Sequence, residues 1–514
     1  MRRPRRGLRT AATAIAGLGL VVATIQAPAL AEARPTAGTR SATGPTVKLI
    51  VAQNTITLPS FGGRVFFDPG IWVASLGSAL EFDVQRVTYL QPITITQVIH
   101  LPGGGTRIRA LPRSLLDGFN GLRDFVRMTV HNADGKVVAR RLVTFCPDTL
   151  NPERASPESP TTSPYPQQCA SDPFQEADVW GIARGWAADP LEGLGPILGL
   201  APGTYRVTVS ITRPYIGLLH VSAANATATV AVRVVRGGGP AGAPNRRRPP
   251  GRPLPSFPSS VPNLANPPKD ALPDLVPLPS WGISAGRMGR QDFLNFGATI
   301  WVGGTSPLDV EGFRSNGSPV MQAYQYFWRN GHLVGRVRAG TMGFEAGSGE
   351  NHWHFQQFAQ YRLLNSAQKV VVRSQKVGFC IAPTDPVDML LPGAVWQPSS
   401  IGFGGACGSP TSLWVQEYLP IGWGDTYVQS LSEQAFDITH LPNGTYYIEI
   451  IANPEKVLRE SNMSNDISLR RVILGGRPGH RMVRVPAWHG IDPENGAPTT
   501  GPGSVLVLTP TASP

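Results

Sequence analysis

The sequence predicts an all-β protein, built as two tandem β-sandwich domains joined by a Pro/Gly-rich linker. Three observations carry this. Short runs rich in valine, isoleucine, threonine and aromatics recur between glycine and proline turns, as at residues 47–51, 204–211 and 446–451. Glycine (57 residues) and proline (50) are abundant while charged residues make up only 16%. That balance suits turn-rich sandwiches and leaves little material for amphipathic helices. Finally, 514 residues exceed one ordinary core, and motifs of the first half recur in the second.

Taken in order, residues 1–31 read as an export signal. Arg2, Arg3, Arg5, Arg6 and Arg9 form a basic start, 11–25 an apolar stretch, and Ala29-Leu30-Ala31 a small-residue cleavage site. The apolar stretch is too short for a membrane span, so a secreted, extracellular protein without stable membrane insertion is expected. Removing these five arginines lowers the formal charge from +12 to +7 (12 − 5). Residues 45–236 make the first sandwich. Residues 237–271 are the linker, with Gly-Gly-Gly-Pro, Arg246-Arg247-Arg248 and repeated Pro-x-Pro that favour extended polyproline conformations. Residues 272–474 make the second sandwich, and 475–514 a Gly/Pro-rich tail whose end, 501–514, is expected to be disordered. Part of the basic excess sits in the linker. No aromatic–basic motif accompanies it, which argues against a nucleic-acid partner and fits loose association with an anionic cell envelope.

The two halves repeat one another. Residues 124–130, Val143-Thr-Phe-Cys146, Cys169 and Pro202-Gly-Thr-Tyr205 correspond to 357–363, Val377-Gly-Phe-Cys380, Cys407 and Asn443-Gly-Thr-Tyr446. The matched cysteines predict one local bridge per repeat, Cys146–Cys169 and Cys380–Cys407, each worth roughly 3 kcal/mol in the chain-entropy model. Counting from the shared motifs places Phe119, Gly121, Leu142 and Trp186 of the first half opposite His352, His354, Lys376 and Tyr427 of the second. The first copy is therefore expected to keep the fold without metal or chemistry.

The second copy carries a reactive set. His352 and His354 lie two apart, so on a strand both imidazoles face one way, an arrangement that suits Cu(II) or Zn(II). Glu350 continues that period as a third, oxygen donor; His332, His440, His480 and His489 are alternatives. Lys376 precedes Cys380 on a strand, and Tyr427 ends Gly422-Trp-Gly-Asp-Thr-Tyr427. Two imidazoles, a lysine and a tyrosine on a β frame point to redox chemistry on amines more than to hydrolysis. A hydrolase reading lacks a nucleophile elbow.

Several ordered motifs resemble the lysyl oxidase family over about 200 residues. They are Leu272-Pro-Asp-Leu-Val-Pro277; His352-Trp-His354 with Phe358, Tyr361 and Leu363-Leu364; Lys376-Val-Gly-Phe-Cys380; Gly422–Tyr427; Phe436-Asp-Ile-Thr439; Pro442-Asn-Gly-Thr-Tyr446; and Asn453-Pro454. The resemblance implies a copper site on His352 and His354, and a lysine tyrosylquinone made from Lys376 and Tyr427. It also implies oxidative deamination of a primary amine or peptidyl-lysine substrate, with Asp425 as a candidate base. The family's copper strand carries three alternating histidines, and Glu350 stands here in place of the first. The resemblance further implies a calcium ion held by Asp274, the Leu275 carbonyl, Glu460, Asn462, Asn465 and Asp466, all oxygen donors. The alternative is a catalytically inactive tandem β-sandwich module that binds the cell envelope or extracellular polymers, favoured by the missing histidine and opposed by the retained Lys376 and Tyr427.

Overall fold

Along Thr227–Arg236, Ala228, Val230, Val232 and Val234 are buried while Thr227, Thr229 and Arg233 face water. This period of two builds most of the chain, because β-branched residues on one pleated face pack and polar ones on the other stay hydrated. The computed structural model describes residues 45–192, 196–237, 261–314, 318–346, 351–398, 407–429, 434–495 and 506–507. The expected export signal, most of the linker and Glu350 lie outside them. Among the described residues, strands dominate, and the one α-helix is Arg213–Leu218.

Three sheets of the first half recur in the second with the same antiparallel strand order. Val47–Val51, Ile71–Ser75, Trp186–Ala188 and Glu153–Arg154 are matched by Leu275–Pro277, Gln291–Val302, Trp423–Tyr427 and Asp385–Pro386. Ala177–Ile182, Leu80–Gln85, Thr94–His100 and Thr106–Leu111 are matched by Trp414–Leu419, Leu308–Phe313, Val320–Arg329 and His332–Glu345. Val137–Phe145, Leu122–His131, Gly203–Ile211 and Thr227–Arg236 are matched by Val370–Arg373, Ala359–Asn365, Gly444–Ala452 and Ile467–Arg477. One departure bears on the site: in the second half, His352–Phe355 is added beside His332–Glu345 as a fifth strand.

The register corrects one position of the repeat. Val47 and Trp186 both pair with Ser75; Leu275 pairs with Val302, and Gly424 with Trp301, which brings Trp423 opposite Val302. The turns before them agree, with Gly185 N–H on the Ser75 carbonyl (2.6 Å) and Gly422 N–H on that of Val302 (2.9 Å). Trp186 therefore matches Trp423, Ala188 matches Asp425, and Pro190 stands where the second half has Tyr427. Counting back from Gly-Thr-Tyr misplaced it because the intervening loops differ in length.

Both expected bridges form, Cys146–Cys169 and Cys380–Cys407, with Cα atoms 6.2 and 5.8 Å apart. The halves do not stand apart as linker-joined domains alone. One contiguous apolar cluster runs from Val47 to Val485. Ala177 bridges Asp388, and the Glu176 and Ala177 amides both donate to the Val387 carbonyl. Two described parts of the tail pair with other strands. His480–Arg484 pairs with Ile467–Arg477, beyond Leu474, and Leu506–Val507 pairs in parallel with Pro196–Leu198 of the first half. Backbone pairing at a sheet edge needs no particular side chain, so Gly/Pro content hid both.

Buried carboxyls make stability depend on pH. Asp178 accepts hydrogen bonds from Val179 N–H (2.9 Å) and Trp180 Nε1 (3.1 Å), and Asp309 from Trp328 Nε1 (2.8 Å) and Gln416 Nε2 (3.0 Å). Burial nevertheless pushes both up to about 7. Because their folded pKa lies above the unfolded value, stability is greatest below about pH 4 for these groups and is lost as pH rises to 7. Each contributes up to roughly 4 kcal/mol to that loss. Urea denaturation is expected to show a higher midpoint at pH 5 than at pH 8, with a shallower difference in Asp309→Asn. A midpoint that rises with pH would contradict this.

Candidate functional site

Tyr427 ends the strand Trp423–Tyr427, which pairs with Gln291–Val302 so that Tyr427 lies opposite Ala298. The small partner leaves room for the ring, which is buried edge-on against Phe379 with centroids 5.1 Å apart. Its hydroxyl donates to the Cys380 carbonyl (3.1 Å). Lys376 comes from the other side. The strand Val370–Arg373 ends, Ser374 N–H turns back to the Tyr361 carbonyl (3.1 Å), and the Ser374 Oγ accepts from Lys376 N–H (3.0 Å). The turn carries the lysine inward, so it is only 4% exposed. Its Nζ lies 4.8 Å from the Tyr427 ring centroid and 5.4 Å from that of Phe379. Two residues 51 apart in sequence (427 − 376) thus meet in one buried pocket.

The histidines lie against the same turn. Phe355 and Phe379 exchange backbone hydrogen bonds (2.9 and 3.1 Å), while Trp353 N–H donates to the Cys407 carbonyl (2.9 Å). The Cys380–Cys407 bridge therefore ties together the two segments that flank His352–Phe355. His352 and His354 face one way with ring centroids 4.7 Å apart. Gly378 packs on His354: a Cβ there would come within 2.8 Å of the His354 Cβ and 3.1 Å of its Nδ1. Sequence reasoning missed the carboxylate that completes this face. Glu345 lies directly opposite His352 across the hairpin, and its Oε2 accepts from His354 Nδ1 (2.6 Å). The hairpin register, in which paired residue numbers sum to 697 (345 + 352, 343 + 354), would have found it had the turn been placed. Among the described residues no group of three or more His, Cys, Asp or Glu is arranged to hold a metal ion. Two imidazoles with a carboxylate fixing one tautomer nevertheless suit a borderline metal, with Nε2 of His354 as its ligating atom. His332 lies at the far end of the neighbouring strand, opposite Arg329, and does not join them.

Buried acids surround the lysine and tyrosine. Asp425 is two residues before Tyr427 on the same strand, and burial raises its carboxyl well above the usual range, opposed in part by Lys376. Neither Asp425 oxygen has a hydrogen-bond partner of good geometry among the described residues, although the Ala382 amide is near enough to stabilise its charge. Glu417, also missed in the sequence, is fully buried, raised in the same way, and held by Ile381 N–H (3.1 Å). Tyr427 and Tyr361 have their hydroxyls pushed up by burial, then by Asp425.

The first half braces the tyrosine strand from behind. Asp385, paired with Gly424, accepts from the Ser171 amide (2.7 Å) and hydroxyl (2.9 Å). Thr384 Oγ1 accepts from Thr426 N–H (2.6 Å), and Gln168 Nε2 donates to the Thr384 carbonyl.

The expected calcium ligands gather only in part. Leu275 N–H and Asn453 Nδ2 donate to Glu460 (2.9 and 2.6 Å), and Asn465 Nδ2 donates to Asp274 (3.1 Å). Burial, then the charge of Asp466, raises Glu460 to about 8. Asp274 and Asp466 are also raised, by burial first. The buried Oδ1 atoms of Asn465 and Asp466 have no hydrogen-bond partner among the described residues. Asn462 Oδ1 accepts from the amide and hydroxyl of Ser464 in an exposed Asx turn (3.1 and 2.7 Å).

Residues 406–480 match the lysyl oxidase family. No curated protein matches the chain. The lysyl oxidase match spans the strand bearing Asp425 and Tyr427, the second cysteine of the Cys380–Cys407 bridge, and Glu460 and Asp466. It begins after His352, His354 and Lys376, which the fold brings to the lysyl oxidase segment.

Proposed function

We propose that the second half is an exported copper-dependent amine oxidase of lysyl oxidase type. It would convert a primary amine or peptidyl lysine, with O2 and water, into an aldehyde, ammonia and hydrogen peroxide. The observation that most supports this is Lys376 Nζ poised over the Tyr427 ring, two residues before Gly378, which packs on His354 of the paired imidazoles. Joined to Lys376, the Tyr427 ring would supply lysine tyrosylquinone, an electron sink for the amine, with copper promoting its formation. His352 and His354 would hold the copper, with Glu345 orienting His354 and Glu350 as the third donor expected from sequence. Asp425 lies beside the ring, and burial makes its carboxylate a stronger base than an exposed one, with Lys376 opposing that shift in part. Glu417 is a second buried carboxyl, close enough for the charge of Asp425 to raise it further. Phe379, Tyr361 and Phe296 wall the pocket and exclude water, strengthening each charge interaction inside it.

His352→Ala/His354→Ala is expected to drop copper content from one equivalent to background by elemental analysis, with far-UV circular dichroism unchanged. Retained copper in the double variant would sink the site. Peroxide release by copper-loaded full-length protein, assayed with a small primary amine and with a lysyl peptide, tests the reaction. Glu350 in place of the family's first histidine favours the second reading, an inactive binding module, and a copper-loaded protein without amine-dependent peroxide would select it.

The first half would be a duplicate of the domain that kept the strand order and lost the chemistry, with Ala188 and Pro190 in place of Asp425 and Tyr427. The corner formed by Asp274, Glu460, Asn465 and Asp466 would bind calcium, which relieves the crowding of three carboxyls. Added calcium is expected to raise the thermal midpoint by several degrees, and Glu460→Gln to remove that gain. An identical midpoint with calcium and with chelator would argue against the ion. The two disulfides fit an oxidising compartment, in keeping with export.

A further inference from the structure

One surface of the first half has no part in this chemistry. The strands Thr55–Phe61, Thr227–Arg236, Gly203–Ile211, Leu122–His131 and Val137–Phe145 lie side by side in that order, their apolar side chains turned to the core. The outer face is hydroxyl-rich. Thr208 and Thr229 share a cross-strand hydrogen bond (3.2 Å), as do Ser210 and Thr227 (3.1 Å), which fixes a polar ladder along its middle. Arg127, Arg140, Arg206 and Arg233 rise around that ladder, and all four are exposed. Their cross-strand neighbours are mostly small or polar: Arg127 faces Ser210 and Leu142, Arg140 faces Thr129, Arg206 faces Ala231 and His131, and Arg233 faces Thr204 and Thr57. None of the four makes an ion pair or hydrogen bond through its guanidinium among the described residues. Asp124 is the one acid in these five strands, and it sits at an end, where the backbone kinks to φ 51°.

We propose that this face binds an anionic polysaccharide. Strand spacing and rise put neighbouring guanidiniums roughly 8–14 Å apart. That suits a polymer with one carboxylate, phosphate or sulfate every one or two sugars, each anion meeting a planar fork and the sugar hydroxyls meeting the threonine ladder. A nucleic acid carries a charge about every 1.7 Å of duplex axis and would leave most phosphates uncompensated. The face offers a base little to stack on, since its one ring beside the arginines, His131 opposite Arg206, is half-buried. A membrane fits less well, since Leu142 is its one large exposed apolar side chain. This inference stands apart from the oxidase reading: an inactive protein would keep the surface.

The test uses the full chain with polygalacturonate, neutral dextran, a thymidine oligonucleotide and phosphatidylglycerol vesicles as probes, in low salt. Polygalacturonate is expected to bind and dextran not. The quadruple variant Arg127→Ser/Arg140→Ser/Arg206→Ser/Arg233→Ser should lose roughly tenfold or more in affinity, and its log–log salt slope should fall by about two to four. The variant should stay folded by far-UV circular dichroism, because the exchanged side chains are exposed and lie outside the core. Three outcomes would overturn the proposal. They are no binding of polygalacturonate by the wild type, affinity unchanged in the variant (binding then lies in Arg246-Arg247-Arg248), or tighter binding of the oligonucleotide or vesicles at matched charge.

Discussion

Lys376→Arg and Tyr427→Phe are each expected to reduce amine-dependent peroxide release to background while leaving a folded protein. The arginine can still lie over the Tyr427 ring, but its guanidinium stays protonated and cannot add to an oxidised ring. Phenylalanine keeps the packing on Phe379 but has no hydroxyl to oxidise. It leaves the Cys380 carbonyl without its donor, at a cost of about 1 to 3 kcal/mol and a few degrees in thermal midpoint. Digests of wild type matured with copper and oxygen should contain one peptide joining the segments around Lys376 and Tyr427; both variants should yield two. Wild type that yields only separate peptides and no peroxide would leave the binding-module reading in place.

Asp385→Ala is expected to cost about 3 kcal/mol of stability and to reduce turnover beyond what the unfolded fraction explains. The carboxyl is buried, and its removal strands the Ser171 amide and hydroxyl that now donate to it. It also frees the segment that pairs with Gly424, one residue before Asp425, so the carboxyl and ring of the site lose their brace. Asp385→Asn should cost less than Asp385→Ala, because its amide oxygen can still accept from the Ser171 amide and hydroxyl. Ser171→Ala, a change in the other half of the chain, should show a weaker version of both effects. Denaturation midpoints together with kcat per folded molecule separate the two consequences. Equal kcat in Asp385→Ala and wild type would show that the first half does not position the site.

Much of the fold was legible because strand periodicity is local: Ala228, Val230, Val232 and Val234 announce a half-buried strand without reference to anything else. The disulfides were legible for a similar reason, since matched Phe-Cys motifs set both cysteines of each pair in one repeat. The chemistry-bearing residue types were also written in short motifs, from His352-Trp-His354 to Gly422–Tyr427. What the sequence could not contain was pairing across distance. Glu345 meets His354 only through the register of two paired strands, which the Gly-Ser-Gly between them does not fix, and Glu417 approaches Asp425 only through the stacking of two sheets. The match of Trp186 to Trp423 depended on which residues face each other across a sheet, where one loop of different length shifts every later count. The contact of the two halves through Ser171 and Asp385 is of the same kind. By itself, then, the sequence determined the strands, the cysteine pairs and the residues able to react, because each rests on neighbours within a few positions. Tertiary structure alone decided which carboxylates stand beside the lysine, tyrosine and histidines, because burial and register are properties of the packed sheets and of no single segment.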